Sequence, residues 1–245
     1  MTGGSQRHHA NNRVSSLQDA PAVSTIVETP YAHHFVTAMN PSDIETIELL
    51  SAAALPRPLF VLLHDAGGAA LDLLELGNLL GDAFSQSAVV MPEGLVGPAS
   101  EAGDATALAK RVETLAAFLR AQQQRFSALQ SDTALVGFGA GATLALALSD
   151  AHDGLVGRVL AFGGCYAVWP ARAPALTTLH LLHGQLDPVV PVARVRHDFE
   201  HLMELGADAT LDVASGLGHA LHPALMEQAI VRLQTCVPLR FWKRL

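Results

Sequence analysis

Asp187 and His219 are the two residues of this sequence whose types and positions suit the transfer of a proton. Asp187 follows the apolar run 177–182, and His219 closes segment 216–219, which comes after a second run, 209–213. A carboxylate can orient an imidazole and stabilise its protonated form, so that the imidazole relays a proton. Both residues follow predicted strands, and the carboxyl ends of parallel strands meet at one edge of a sheet. The sequence therefore favours a functional pair over two ordinary loop residues.

Such a relay needs a nucleophile, and the sequence has a sharp turn where one would be expected. Residues 133–136 form a β-type run, glycines follow at Gly137, Gly139 and Gly141, and a helical Ala/Leu pattern comes next. This order matches the nucleophile elbow Gly-x-Ser-x-Gly, where crowding between strand and helix requires small flanking residues. Gly139 stands at the serine position. Because it has no hydroxyl, the ordinary acyl-serine mechanism is closed.

The rest of the chain alternates strands with helices, which is typical of a parallel sheet covered on both faces. The continuous apolar run 58–64 predicts a strand buried on both sides. Antiparallel edge strands are predicted at residues 34–39 and 45–50. The other predictions are strands at residues 87–91, 133–136, 158–162, 177–182 and 209–213, and helices at 70–84, after Asp104, after the elbow, at 192–205 and at 219–233. The fold class is α/β, one doubly wound and mostly parallel sheet in a single domain at residues 25–245, after a disordered polar tail at residues 1–24.

Five segments together resemble the bacterial predicted esterases of the phospholipase/carboxylesterase group, which are α/β hydrolases related to acyl-protein thioesterases. The segments are residues 62–64 (Leu-Leu-His), 137–141, 158–164, 183–189 and 217–219 (Leu-Gly-His). The resemblance implies hydrolysis of a small carboxylic ester or thioester through an acyl-serine, without metal or cofactor. It gives Asp187 and His219 the triad positions beside Gly139. By position, the backbone N–H groups of Ala66 and Ala140 would form the oxyanion hole.

Three positions around the expected pocket depart from that family. Gly139 lacks the nucleophilic hydroxyl. His64 is followed by Asp65 where the family has glycine, and a carboxylate close to developing negative charge opposes catalysis. No aromatic residue lies between Phe84 and Phe118, where the family carries aromatic pocket residues. The sequence therefore predicts a carboxylic-ester hydrolase by lineage that is inactive or weak as a serine esterase.

Two functional classes stay open at this point. One is a residual hydrolase, in which Asp187 and His219 activate water in the space left at Gly139. The other is a non-catalytic pseudo-hydrolase whose cleft binds a small acyl ligand or a protein partner. A third class, dinucleotide binding through Gly137-x-Gly139-x-x-Ala142, is less favoured because no acidic residue ends the next predicted strand, 158–162.

Other reactive side chains have simpler interpretations. Cys165 ends a predicted strand but lies outside the elbow, which favours a small buried residue over a replacement nucleophile. Cys165 and Cys236 are too few for a disulfide framework. Residues 197–201 match the His-x-x-Glu-His pattern of a zinc-peptidase class. The apolar positions of that predicted helix would turn His197 and His201 toward solvent, so no metal site is predicted.

Composition excludes some partners. The formal charge is −8, the sequence pI is about 5.8, and Lys110 and Lys243 are the two lysines, which argues against nucleic-acid binding. The first 24 residues lack the apolar region of a signal peptide or anchor, so we expect no membrane span and a cytoplasmic location. The basic, aromatic segment 238–245 is expected to dock on the domain rather than bind an anionic surface. The sequence leaves the oligomeric state open.

Overall fold

The computed structural model describes Met1 and residues 33–39, 44–52, 55–98 and 103–236. The predicted polar tail beyond Met1 and the predicted docking of residues 238–245 lie outside these ranges. Within them, eight strands form a single sheet and five α-helices flank it. The predicted α/β class with a mostly parallel sheet is therefore confirmed.

The sheet combines an antiparallel edge with a parallel body. Its strands are β1 (His33–Met39), β2 (Glu45–Ser51), β3 (Leu59–Leu63), β4 (Ala88–Pro92), β5 (Thr133–Phe138), β6 (Arg158–Phe162), β7 (Thr178–Gly184) and β8 (Ala209–Ala214). Their spatial order is β1-β2-β4-β3-β5-β6-β7-β8. β1 with β2 and β2 with β4 are antiparallel, as predicted for that edge, and every later pair is parallel. The carboxyl ends of β3 to β8 therefore share one edge.

The helices connect these strands across both faces. They are α1 (Leu74–Ala83), α2 (Ala105–Phe126), α3 (Ala140–Ala151), α4 (Val192–Glu204) and α5 (Pro223–Thr235), and a 3₁₀ turn, Ala70–Leu73, precedes α1. Asp104 caps α2 as predicted, because its Oδ1 accepts the N–H groups of Thr106 and Ala107 at 2.9 and 3.1 Å. No helix of the described ranges is long and apolar enough to cross a membrane.

The position of β3 between two layers of helices explains why its sequence is apolar without interruption. Leu59, Val61 and Leu63 pack into a core that α2, α3 and α4 cover. Phe60 and Leu62 point the other way, into a second core that α1 and α5 cover. Side chains alternate along a strand, so a strand between two helical layers needs apolar residues at every position.

The last helix begins four residues later than predicted. Its first residue is Pro223, whose missing N–H and fixed φ suit the first turn of a helix. His222, which lies inside the predicted helix 219–233, is instead the N-cap and accepts the N–H of Ala224 on Nδ1 at 3.2 Å. His219 consequently lies on the loop between β8 and α5, and this loop carries it over the edge of the sheet.

Candidate active site at the sheet edge

The turn between β5 and α3 has the tight backbone of a nucleophile elbow although it carries no nucleophile. Gly139 adopts φ +55° and ψ −115°, a conformation that L side chains rarely take. A Cβ on Gly137 would overlap the backbone of Gly141, and a Cβ on Gly141 would overlap the carbonyl group of Leu63. The flanking glycines are therefore needed because strand and helix touch through their backbones.

Asp187 lies on the loop after β7, and its side chain is 1% exposed. Its Oδ1 accepts the N–H groups of Val189 and Val190 at 2.8 and 2.9 Å, and its Oδ2 lies 2.7 Å from His219 Nδ1. Burial raises the pKa of Asp187, but the hydrogen bonds from Val190, His219 and Val189 and the charge of His219 together outweigh it and lower the pKa. The carboxylate is therefore held ionised in one orientation.

His219 lies beside the elbow, with its side chain 11% exposed. Its ring packs against Phe138, with 4.8 Å between ring centroids. Gly163, at φ +60°, leaves room for the ring, since a Cβ there would come within 3.2 Å of His219 Cε1. The structure thus brings together His219, Asp187 and Gly139, which the sequence predicted as neighbours.

Asp65 provides the feature that the sequence did not predict. Its Oδ1 accepts the N–H of Ala66 at 2.8 Å and the N–H of Ala140 at 2.7 Å. These are the two donors expected to hold a substrate oxyanion. Oδ2 of the same carboxylate lies 3.2 Å from His219 Nε2. The sequence suggested only that Asp65 would lie near the negative charge that develops during catalysis. In the structure, its carboxylate accepts both N–H groups itself.

The carboxylate of Asp65 also occupies the space that a side chain at position 139 would need. An ideal Cβ built on Gly139 would overlap Oδ1 and Cγ of Asp65 and come within 2.7 Å of Oδ2. Ala140 is the first residue of α3, where unpaired N–H groups and the helix dipole favour an anion. A serine at position 139 and this orientation of Asp65 therefore exclude each other.

The resulting arrangement is a carboxylate, an imidazole and a second carboxylate in a row. Asp65 faces Nε2 of His219 and Asp187 faces Nδ1. The ring can donate to both carboxylates at the same time only when both of its nitrogens carry a proton. The geometry suits a proton carrier between two carboxylates rather than a base beside a hydroxyl.

A cleft of about 370 Å³ opens beside Ala66 and Ala140. Small and aliphatic side chains from α2, α3 and the loops after β4 and β6 line most of its described wall. Leu108, Leu144 and Val168 are among them, and Arg111 and Arg194 also line it. A mainly apolar cleft next to a few polar groups is typical of a small-molecule site.

Asp198, for which the sequence predicted no role, positions one wall of this cleft. It is 1% exposed on α4 and accepts the N–H of Tyr166 at 2.8 Å and Nε1–H of Trp169 at 2.7 Å. It also faces Arg194 Nε at 3.4 Å. A signal for it existed, because an aspartate lies at an apolar spacing of the helix, three residues after the buried Val195.

The surroundings of the other reactive side chains named from the sequence do not support a catalytic or metal-binding role for them. His197 is exposed as expected, but His201 is not freely solvated, because Nε2 lies 3.0 Å from the Pro170 carbonyl and the ring stacks on Trp169. Burial, followed by the charge of Asp198, raises the pKa of the Cys165 thiol, which disfavours a thiolate nucleophile. Across the described ranges, no three His, Cys, Asp or Glu side chains are grouped as a metal site.

The dinucleotide pattern also has a different explanation. In that motif the pyrophosphate binds at the N-terminus of the helix after the glycine turn. Here the carboxylate of Asp65 lies at the N-terminus of α3 and binds Ala140 N–H. The glycines at positions 137 and 141 are explained by close backbone packing of the elbow.

A doubly wound sheet with an elbow after β5, an acid after β7 and a histidine after β8 defines an α/β hydrolase. The chain belongs to the phospholipase/carboxylesterase family, whose model matches residues 95–237.

Relatives and solved structures agree with this family. Esterase YpfH of Escherichia coli (strain K12) is 32% identical over 197 residues, which cover 75% of this chain and 85% of that protein. The crystal structure of esterase PE8 matches with a TM-score of 0.69 and 26% identity over 79% of this chain and 99% of that chain. The Bacillus cereus carboxylesterase, at 20% identity, shows the same fold with a TM-score of 0.66 over 79% of this chain and 95% of that chain.

Proposed function

We propose that this protein is a family member that no longer hydrolyses carboxylic esters through an acyl-enzyme, and that its cleft receives a small, mainly apolar molecule. One observation carries the first part: Asp65 Oδ1 accepts the N–H groups of both Ala66 and Ala140. An ester carbonyl needs these donors for its developing oxyanion. While Asp65 holds them, an ester cannot be activated there, even apart from the missing hydroxyl of residue 139.

The same contact disfavours direct attack of water, which is the other route for a site without a serine. His219 Nε2 faces Asp65 Oδ2 at 3.2 Å instead of an open position for water. Loss of a single oxyanion-hole donor costs about 10²–10³ in kcat, and here both donors are engaged. We therefore expect the wild-type protein and His219→Ala to hydrolyse p-nitrophenyl esters equally poorly.

The proposal is tested by restoring the family's residues at both positions. Wild type, Gly139→Ser, Asp65→Gly and Asp65→Gly/Gly139→Ser are compared on p-nitrophenyl acetate and hexanoate. We expect activity in the double variant alone. Without the Asp65 carboxylate, the serine side chain fits at position 139 and the N–H groups of Ala66 and Ala140 are free to bind the oxyanion. The hexanoate should be the better substrate if the apolar cleft holds the acyl chain, and Leu108→Trp in the active background should remove that preference.

The matched control for the last variant is Ala117→Trp, an exposed position on α2 away from the cleft. Equal activity in Gly139→Ser and in the double variant would show that Asp65 does not occupy the donors in solution. Wild-type ester hydrolysis that disappears in His219→Ala would also contradict the proposal.

A further inference from the structure

Asp65 and Asp187 make the same pattern of contacts, yet they differ in accessibility. Each carboxylate has Oδ1 bound by two backbone N–H groups and Oδ2 facing one nitrogen of His219. The Asp187 side chain is 1% exposed, as expected for a residue that only orients the ring, whereas the Asp65 side chain is 31% exposed. Asp65 is therefore a carboxylate that is fixed in orientation and open to a bound molecule.

We infer that Asp65 is a nucleophile, and that its substrate is a small alkyl electrophile whose saturated carbon bears a halide or an epoxide oxygen. This inference rests on the proposed function, because it requires Oδ1 of Asp65 to lie between the N–H groups of Ala66 and Ala140. Carboxylates form covalent intermediates in other enzymes. Oδ2 is the reacting oxygen, since Oδ1 is already bound by two donors.

The positions of the two donors decide between an acyl and an alkyl substrate. Attack on an acyl carbon creates an oxyanion on the substrate, and Asp65 occupies the groups that would stabilise it. Attack on a saturated carbon places the developing charge on the leaving group instead. The first step with an alkyl electrophile therefore needs no oxyanion hole.

In this first step a bond forms between Oδ2 of Asp65 and the saturated carbon. The bond from that carbon to its leaving group breaks, and the electron pair departs with the leaving group. A halide leaves as the anion, whereas an epoxide oxygen stays attached and takes a proton from water. The product is an alkyl ester of Asp65, whose carbonyl oxygen is Oδ1.

The oxyanion hole acts in the second step, on the enzyme's own ester. Esterification removes the negative charge from Oδ2, which is then a poor partner for His219 Nε2, so water can take its place at this nitrogen. The neutral imidazole takes a proton from that water on Nε2, and the resulting hydroxide attacks Cγ of Asp65. The charge that moves to Oδ1 is stabilised by the N–H groups of Ala66 and Ala140, at 2.8 and 2.7 Å in the resting state. Asp187 stabilises the imidazolium.

Collapse of that intermediate breaks the bond between Cγ and Oδ2. The alcohol leaves with Oδ2 and takes a proton from His219. Asp65 keeps the oxygen from water as a carboxylic acid, which releases its proton to solvent and becomes the carboxylate again. A halide substrate and one water give an alcohol, a halide ion and a proton. An epoxide and one water give a vicinal diol, because the released proton neutralises the hydroxide left when the epoxide oxygen took a proton from water. The cleft beside Ala66 and Ala140, lined mainly by aliphatic side chains, suits a short or medium alkyl chain.

The test uses 1-bromohexane and 1,2-epoxyhexane as separate probes. Wild type, Asp65→Asn, His219→Gln and the control Glu93→Gln are incubated with each probe and analysed by intact-protein mass and peptide mapping. Glu93 is a comparable carboxylate, 36% exposed, outside the proposed machinery. We expect His219→Gln to accumulate one ester on Asp65, wild type and Glu93→Gln to release alcohol, and Asp65→Asn to do neither.

A single turnover in H₂¹⁸O separates this route from direct attack of water on the substrate. We expect the first alcohol to carry ordinary oxygen and Asp65 to gain one heavy oxygen. An alcohol labelled in the first turnover, an adduct on Cys165 or His219 alone, or no ester in folded His219→Gln would overturn the inference. If Asp65→Gly/Gly139→Ser hydrolyses esters but neither probe alkylates Asp65, only the nucleophile role fails. If the single variant Gly139→Ser is already active, the proposal that Asp65 occupies the N–H groups of Ala66 and Ala140 fails as well.

Discussion

At the scale of single residues, the conformations of Gly139 and Asp65 depend on each other. A Cβ at position 139 would overlap the Asp65 carboxylate, and that carboxylate takes the N–H of Ala140 at the turn itself. Gly139 also keeps φ +55°, which glycine tolerates without strain. The space beside Gly139 is therefore filled by the Asp65 carboxylate rather than left as an empty pocket.

This coupling predicts non-additive stability in a double-mutant cycle. Gly139→Ser adds a Cβ at positive φ and against Asp65, so we expect it to destabilise the fold, while Asp65→Gly removes the overlap. The two changes together should be at least about 1 kcal/mol less destabilising than the sum of the single changes. Urea unfolding of the four proteins measures the difference, and additive free energies would show that the two side chains do not meet.

At the scale of elements, α4 supports the cleft through one buried carboxylate. Asp198 joins the helix to the loop after β6 by accepting from Tyr166 N and Trp169 Nε1. Tyr166 in turn lines the cleft. The helix therefore positions the cleft wall without contributing a group to the reacting centre.

Asp198→Ala is expected to lower the free energy of unfolding by about 2–3 kcal/mol, because it leaves a buried backbone N–H and an indole N–H without their acceptor. Asp198→Asn, which keeps one acceptor oxygen, should lose less. Chemical denaturation gives the free energy, and the fluorescence of Trp169 reports the loop. Equal stability of wild type and Asp198→Ala would contradict this role.

At the scale of the whole molecule, a histidine buried in the parallel sheet makes the stability of the protein depend on pH. His180 on β7 is 0% exposed, and its Nδ1 lies 2.9 Å from Thr210 Oγ1 on β8. Burial lowers the pKa of His180 from 6.5 to about 4. The charged neighbours act in both directions: Arg158 and Arg232 lower this pKa, and Asp208 and Asp212 raise it.

The pKa of His180 is lower in the folded chain than in the unfolded chain. At a pH between these two values, His180 therefore binds a proton in the unfolded chain but not in the folded chain. The contribution of His180 is complete above about pH 6.5 and is lost as the pH falls toward 4, by about 3 kcal/mol. His180→Gln should flatten the loss of unfolding free energy between pH 7 and 4. His197→Gln, at an exposed position, is the control, and identical pH profiles for wild type and His180→Gln would refute the prediction.

Much of this architecture follows from local patterns. The apolar run of β3, the glycine turn after β5 and the aspartate before α2 predicted elements that the structure contains. These signals are local because side-chain periodicity, backbone crowding and helix capping act over a few residues. The start of α5 was missed because the apolar spacing extends back past Pro223, where the proline begins the first turn.

The chemistry of the site was determined by the sequence only in part. The residue types and their order along the chain predicted an elbow without a nucleophile and an acid and histidine on successive loops. The tertiary structure alone decided that the Asp65 carboxylate binds Ala140 N–H, 75 residues away, and faces His219, 154 residues away. Such contacts depend on how closely three loops approach one another at the edge of the sheet. Sequence periodicity reports only local structure, so it does not predict the distances between these loops.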